Sequence, residues 1–121
     1  MKRRGSRLEI WRVAIDIAES VYQVAKTFPK EETDGLILPL QRAAMAVLSD
    51  IVEGKRRSSK KELAGFVGHF RGFLEEVETQ INIANRLGYV DAQQAQFILR
   101  KATRAGEILM NRAELALGVA A

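Results

Sequence analysis

Apolar residues recur along this chain at steps of three and four, without the sustained period-two alternation of a strand. From Leu8 to Thr27 one stripe runs through Leu8, Trp11, Ile15, Ala18, Tyr22 and Ala25. A second stripe beside it takes Ile10, Ala14, Ile17, Val21, Val24 and Phe28. Such spacing is that of residues sharing a helix face. Together the two stripes cover more than half the circumference, and Glu9, Arg12, Asp16, Glu19, Gln23 and Lys26 hold the rest. That is more apolar surface than a helix in a monomeric bundle needs. The surplus points to burial against another subunit, with a tightly packed bundle centre as the alternative.

The same rhythm predicts three further helices. The second spans about Gly35 to Glu53 through Ile37, Leu40, Ala44, Val47 and Ile51. Pro39 lies too deep to be the favoured first helical residue, so an irregular first turn or a kink is expected there. The third spans about Lys60 to Leu87, with Leu63, Phe66, Phe70, Phe73, Val77, Ala84 and Leu87 as its core seam. The fourth opens at Asp91 and continues through Ala95, Ile98, Ala102, Ala105, Leu109 and Ala116 to about Gly118.

Boundary signals agree with this division. Pro29 discourages helix at Phe28, and Asp34 can cap the second helix. Gly54 occupies a usual stop position. Ser59 with Glu62 forms an S-x-x-E capping box, and Asp91 with Gln94 a weaker one. Gly88 is the expected C-cap of helix three, followed by apolar Tyr89. The expectation is a single all-α domain over residues 1–121, an antiparallel up-down-up-down four-helix bundle with a flexible basic N-terminus over residues 1–7.

Composition removes several function classes. The chain has no cysteine, so neither a disulfide framework nor a thiolate metal site can form. It has one histidine, His69, and lacks the Glu-x-x-His pairs of di-iron bundles. Ser49, Asp50 and His69 could be drawn as a triad, but with one histidine available any serine and aspartate would fit on paper. The pair Gly54-Lys55 stands alone and is not a phosphate loop. The acids Glu75, Glu76 and Glu78 read most simply as a solvated face. No apolar run approaches the ~18 residues of a membrane helix. Arg12 and Asp16 interrupt any signal-peptide pattern, and the absence of cysteine suits a reducing cytoplasm. The expectation is a cytoplasmic protein that is not an enzyme and carries no cofactor and no metal.

Charge is modest in sum, +4, and uneven in distribution. Residues 1–12 carry five bases and one acid, residues 55–61 five bases and no acid, and residues 31–54 one base and five acids. Local fields therefore exceed what the net charge suggests. The run Lys55, Arg56, Arg57, Lys60 and Lys61 has two readings. It is a solvated loop, or a corner that contacts phosphates and gains affinity by counterion release without reading sequence. No aromatic residue interleaves it, which argues against base stacking. Gly65, Gly68 and Gly72 are the other unusual feature. Glycine inside a helix costs about 1 kcal/mol against alanine. Three on one outer stripe call for an offset, such as close approach of a neighbouring helix or of a nucleic-acid backbone. The expected oligomer interface takes these glycines together with Ile10, Ile17 and Val21.

Several motifs carry a family resemblance. They are Arg42-Ala43-Ala44, Ser49-Asp50-Ile51-Val52-Glu53-Gly54, and Ser59-Lys60-Lys61-Glu62-Leu63 with Phe66. Upstream stand Leu8-Glu9-Ile10-Trp11, Phe28-Pro29-Lys30-Glu31-Glu32 and Gly35-Leu36; downstream stand Glu78-Thr79-Gln80-Ile81, Ile83-Ala84 and Leu87-Gly88-Tyr89. In order and spacing the chain resembles the small bacterial four-helix bundle proteins encoded in intervening sequences of 23S ribosomal RNA genes. The resemblance implies a ring-forming homo-oligomer, usually a pentamer, without known catalysis. It also implies kinship with retroelement accessory proteins that bind a reverse transcriptase and nucleic acid. The leading expectation is thus an oligomer that binds structured RNA or DNA through Lys55, Arg56, Arg57, Lys60 and Lys61. The alternative is a scaffold that docks a protein partner such as a reverse transcriptase.

Overall fold

The structure, a computed structural model, describes residues 7–54 and 60–117, with side chains described over 9–51 and 65–111. The described residues form four α-helices and no strand: α1 (Arg7–Ala25), α2 (Leu38–Gly54), α3 (Lys60–Arg86) and α4 (Ala92–Leu117). Each helix packs mainly on two others, in the pairs α1–α2, α2–α3, α3–α4 and α1–α4, which closes a four-helix bundle. Side-chain pairs run in opposite order along α1 and α4: Glu9 meets Arg104, and Asp16 meets Lys101.

The ends of the helices follow from local chemistry. Residues Lys26, Thr27 and Phe28 donate their N–H groups to Gln23, Val24 and Ala25, a tightened last turn after α1. Pro29 then takes an extended conformation, φ −59° and ψ 145°. A short 3₁₀ turn (Lys30–Glu32) and a π-helical turn (Thr33–Ile37) lead into α2. In the π turn the Leu38 N–H reaches back five residues to the Thr33 carbonyl. This is the irregularity expected at Pro39. A proline ring crowds the carbonyl four residues before it, here that of Gly35, and a widened turn makes room.

At the end of α3, Gly88 has φ +83°. Its N–H donates to Asn85 O at 3.1 Å, and the Tyr89 N–H donates to Ala84 O at 2.9 Å. These two bonds form a Schellman motif, which needs the left-handed residue that glycine supplies. The Asp91–Gln94 capping box forms as well. The Gln94 N–H donates to Asp91 Oδ1 at 2.7 Å, and the Asp91 N–H faces Gln94 Oε1 at 3.5 Å. The second capping box, Ser59 with Glu62, lies outside the described residues.

One apolar cluster fills the interior, and no polar or charged residue among those described is buried with it. α2 contributes Leu40, Ala43, Ala44, Val47 and Ile51; α4 contributes Ala95, Ile98, Ala102, Ala105, Ile108 and Leu109. On α3 the seam differs from the expected one. Phe70, Leu74, Val77, Ile81 and Ala84 are buried, whereas Phe66 and Phe73 are partly covered and Leu87 is 54% exposed. The expected seam counts every aromatic on this helix as core and lacks Leu74 and Ile81.

The clearest correction concerns α1. Ile10, Ile17 and Val21, expected at a subunit interface, are at most 4% exposed within the single chain. They pack in its own core, together with Val13, Ala14, Ala18 and Val24. The surplus apolar surface is instead the Trp11–Tyr22 stripe, with those two residues 43% and 41% exposed. Small side chains on the buried face allow the neighbouring helices to approach, and the two bulky aromatics are left at its edge.

Candidate functional site

The five bases of the expected nucleic-acid corner occupy the passage from α2 to α3. Lys55, Arg56 and Arg57 lie outside the described residues. Lys60 and Lys61 form the first turn of α3, and their side chains also lie outside them. α2 follows the turn that carries Phe28 and has 17 residues. At 1.5 Å per residue that is about 25 Å of helix. Its last residue, Gly54, therefore stands a bundle's length away from the opposite turns.

Those opposite turns are acidic. Glu31, Glu32 and Asp34 lie between α1 and α2, and Asp91 precedes α4, with Lys26 and Lys30 as the bases among them. Phe28 and Tyr89 pack there with ring centroids 5.6 Å apart. Thr27 Oγ1 donates to Val24 O at 2.7 Å and stands 3.2 Å from Tyr89 O. The chain thus sets acidic turns at one end of α2 and leads into its densest run of bases at the other.

The glycine stripe lies on the outer face of α3, as expected. Gly65 and Gly68 are exposed and Gly72 is partly so. A methyl group added at any of the three would meet nothing within 4 Å. Inside the monomer, then, no close contact calls for glycine at these positions. Below Gly72 the same face forms a shallow hollow of about 280 Å³, lined by Gly72, Glu75, Glu76, Thr79 and Gln80.

Two further surface features escaped the sequence reading. A groove of about 590 Å³ runs between α3 and α4, with Arg71, Glu75, Glu78, Arg104 and Glu107 along its walls and Leu74 and Met110 among its apolar lining. Partial burial, then the charge of Glu75, hold the Glu78 carboxyl above its ordinary value, against the opposing pull of Arg71. Arg104 is drawn toward α1, donating to Glu9 Oε2 from Nη2 at 2.6 Å and from Nε at 3.2 Å. Lys101 similarly pairs with Asp16 at 2.9 Å and lies 5.3 Å from the centre of the Phe97 ring. With two arginines and three glutamates along its walls, the groove presents mixed charge and offers no concentrated field to a ligand.

The second feature is a hollow of about 390 Å³ between α1 and α2, lined by Tyr22, Leu38, Gln41, Arg42, Met45, Ala46 and Ser49. Tyr22, Leu38 and Met45 are exposed. Leu38, Arg42, Met45 and Ser49 recur at helical steps, but Pro39 and the polar neighbours masked this stripe in the sequence. His69 is exposed on α3. Among the described residues no group of three or more His, Asp or Glu could hold a metal ion, and no helix is long and apolar enough to cross a membrane.

Set against known proteins, residues 6–111 match a family model described as 23S rRNA-intervening sequence protein. No curated protein matches the chain.

Proposed function

The chain belongs to the family of 23S rRNA-intervening sequence proteins, and from that premise we propose that it is a non-enzymatic homo-oligomer that binds structured RNA or DNA. The contact is made by Lys55, Arg56, Arg57, Lys60 and Lys61. The observation that carries this reading is the segregation of charge: five bases and no acid in the seven residues 55–61, set against acidic turns at the other end of α2. A polyanion meets attraction at one end and repulsion at the other, so the field orients it as well as holding it. An apolar interior supports a binding role over a catalytic one.

Phosphate contacts of this kind give affinity with little sequence selectivity. Each phosphate neutralised on duplex DNA contributes about −0.9 to the slope of log K against log salt. An oligomer repeats the basic corner once per subunit, so weak individual contacts add up to a steep salt dependence. The test is fluorescence anisotropy with a labelled RNA hairpin and a DNA duplex, titrated at several salt concentrations between about 50 and 200 mM. Replacing Arg56, Arg57, Lys60 and Lys61 together by alanine abolishes binding and preserves helix content. If the quadruple variant binds as the parent does, the corner is a solubilising surface. A protein-docking role then replaces nucleic-acid binding.

A further inference from the structure

The proposed self-association leaves open which surfaces meet, and two faces of the bundle fit each other. Trp11 and Tyr22 stand about three turns apart on one side of α1, with Leu38 and Met45 on the adjoining side of α2; all four are 37–44% exposed. Tyr22, Leu38 and Met45 share the α1–α2 hollow with Arg42, which is itself exposed, as is Arg12 beside Trp11. This strip is bulky and apolar, edged by Arg12 and Arg42, with Glu19 as an acid beside Tyr22.

The outer face of α3 has the opposite character in every respect. Gly65, Gly68 and Gly72 leave it bare to the backbone, and it continues into the hollow edged by Glu75 and Glu76. Large side chains without a pocket in their own chain, and a bare helical face without a neighbour in its own chain, are complementary in shape. Arginines on the first and glutamates on the second make them complementary in charge.

We propose that the α1–α2 strip of one copy docks on the outer face of α3 of the next copy. Trp11, Tyr22 and Met45 lie against the glycines, and Arg42 approaches Glu76. The inference rests on the homo-oligomer reading. Because the two surfaces differ, the contact is heterologous. After one contact the pair has one of each surface left over, and assembly continues until a ring closes.

Two substitutions test this, each on a surface that the monomer does not use. Met45→Glu places an acid opposite Glu75 and Glu76, and Gly68→Leu fills the bare face where an added methyl group would meet nothing. Circular dichroism should show unchanged helix content in both. Light scattering of the parent gives several times 13.5 kDa, and each variant alone gives 13.5 kDa. Mixed in equal amounts, the variants form a 1:1 complex of twice the chain mass that grows no further. The Gly68→Leu copy supplies its intact strip, and the Met45→Glu copy its intact α3 face.

Variants that stay assembled like the parent overturn the proposed pairing and leave the oligomer standing. Monomeric variants that fail to complement each other on mixing overturn it too, in favour of a contact of like surfaces. A parent that is itself monomeric overturns both the pairing and the oligomer reading.

Discussion

The Tyr89 hydroxyl donates a hydrogen bond to Glu32 Oε2 at 2.8 Å, tying the turn after α3 to the 3₁₀ turn before α2 across 57 residues of sequence. This bond to Glu32 raises the phenol's pKa above its ordinary 10.0, with burial and the charges of Glu32 and Glu31 adding to the shift. The fold therefore favours the protonated phenol. Its contribution to stability is complete below pH 10.0 and is lost as pH rises through the raised value. In a Tyr22→Phe background, ultraviolet titration should find Tyr89 ionising above 10.0. Glu32→Gln keeps an acceptor but removes the charge, and should lower the midpoint toward 10.0.

Gly88 and Asp91 close α3 and open α4 within four residues. Alanine at Gly88 would have to hold φ near +83°, which costs a residue with a Cβ about 1–2 kcal/mol. Asp91→Ala removes the acceptor of the Gln94 N–H and costs about 1 kcal/mol. Urea denaturation should show both losses as a lower midpoint with an unchanged slope.

Glu78 behaves in the opposite sense to most carboxylates. Its folded pKa lies above the ordinary 4.5, so its charge is a burden on the native state at neutral pH. That burden is present above the raised pKa and is relieved as pH falls through it, because the folded chain then takes up a proton that the unfolded chain does not hold. Glu78→Gln should therefore raise the thermal midpoint at about pH 7. The gain should fade as pH falls toward and below 4.5.

Burial, more than surface pairing, holds the bundle together. Phe70 is fully buried and packs against Phe66 with ring centroids 5.9 Å apart. Phe70→Ala should cost about 3–5 kcal/mol. The Arg104–Glu9 pair is short, but its side chains are 43% and 38% exposed. Arg104→Ala should cost no more than about 1 kcal/mol, and less as salt is added. Guanidinium denaturation masks the second effect with its own ions, so urea is the denaturant to use.

Turn chemistry was the most legible part of the sequence. Pro29, Gly88–Tyr89 and Asp91–Gln94 each act through backbone bonds a few residues long, which local sequence determines. The core of α4 was nearly as plain: Ala95, Ile98, Ala102, Ala105 and Leu109 form one stripe and are buried, although the fully buried Ile108 beside it was passed over. On α1 two apolar stripes compete. Choosing between them requires knowing that neighbouring helices come close enough to favour Ala14, Ile17 and Val21 over Trp11 and Tyr22. The residues expected at the interface, Ile10, Ile17 and Val21, accordingly lie in the core of the chain. On α3, aromatic size outweighed position in the reading, and Ile81 was missed although it is fully buried. The basic corner was legible only as charge. Residues 55–59 contain no apolar side chain that would tie them to the core pattern.

The order in which the helices pack has a consequence for how the chain reaches this state. Three of the four seams join helices that are consecutive in sequence, so each can form after closing only a short connection. Topologies of this kind fold in microseconds to milliseconds. The α1–α4 seam is the exception: Glu9 and Arg104 are 95 residues apart, and bringing them together carries the loop-closure entropy of nearly the whole chain. By loop length alone, the seams between consecutive helices should form before α1 docks on α4.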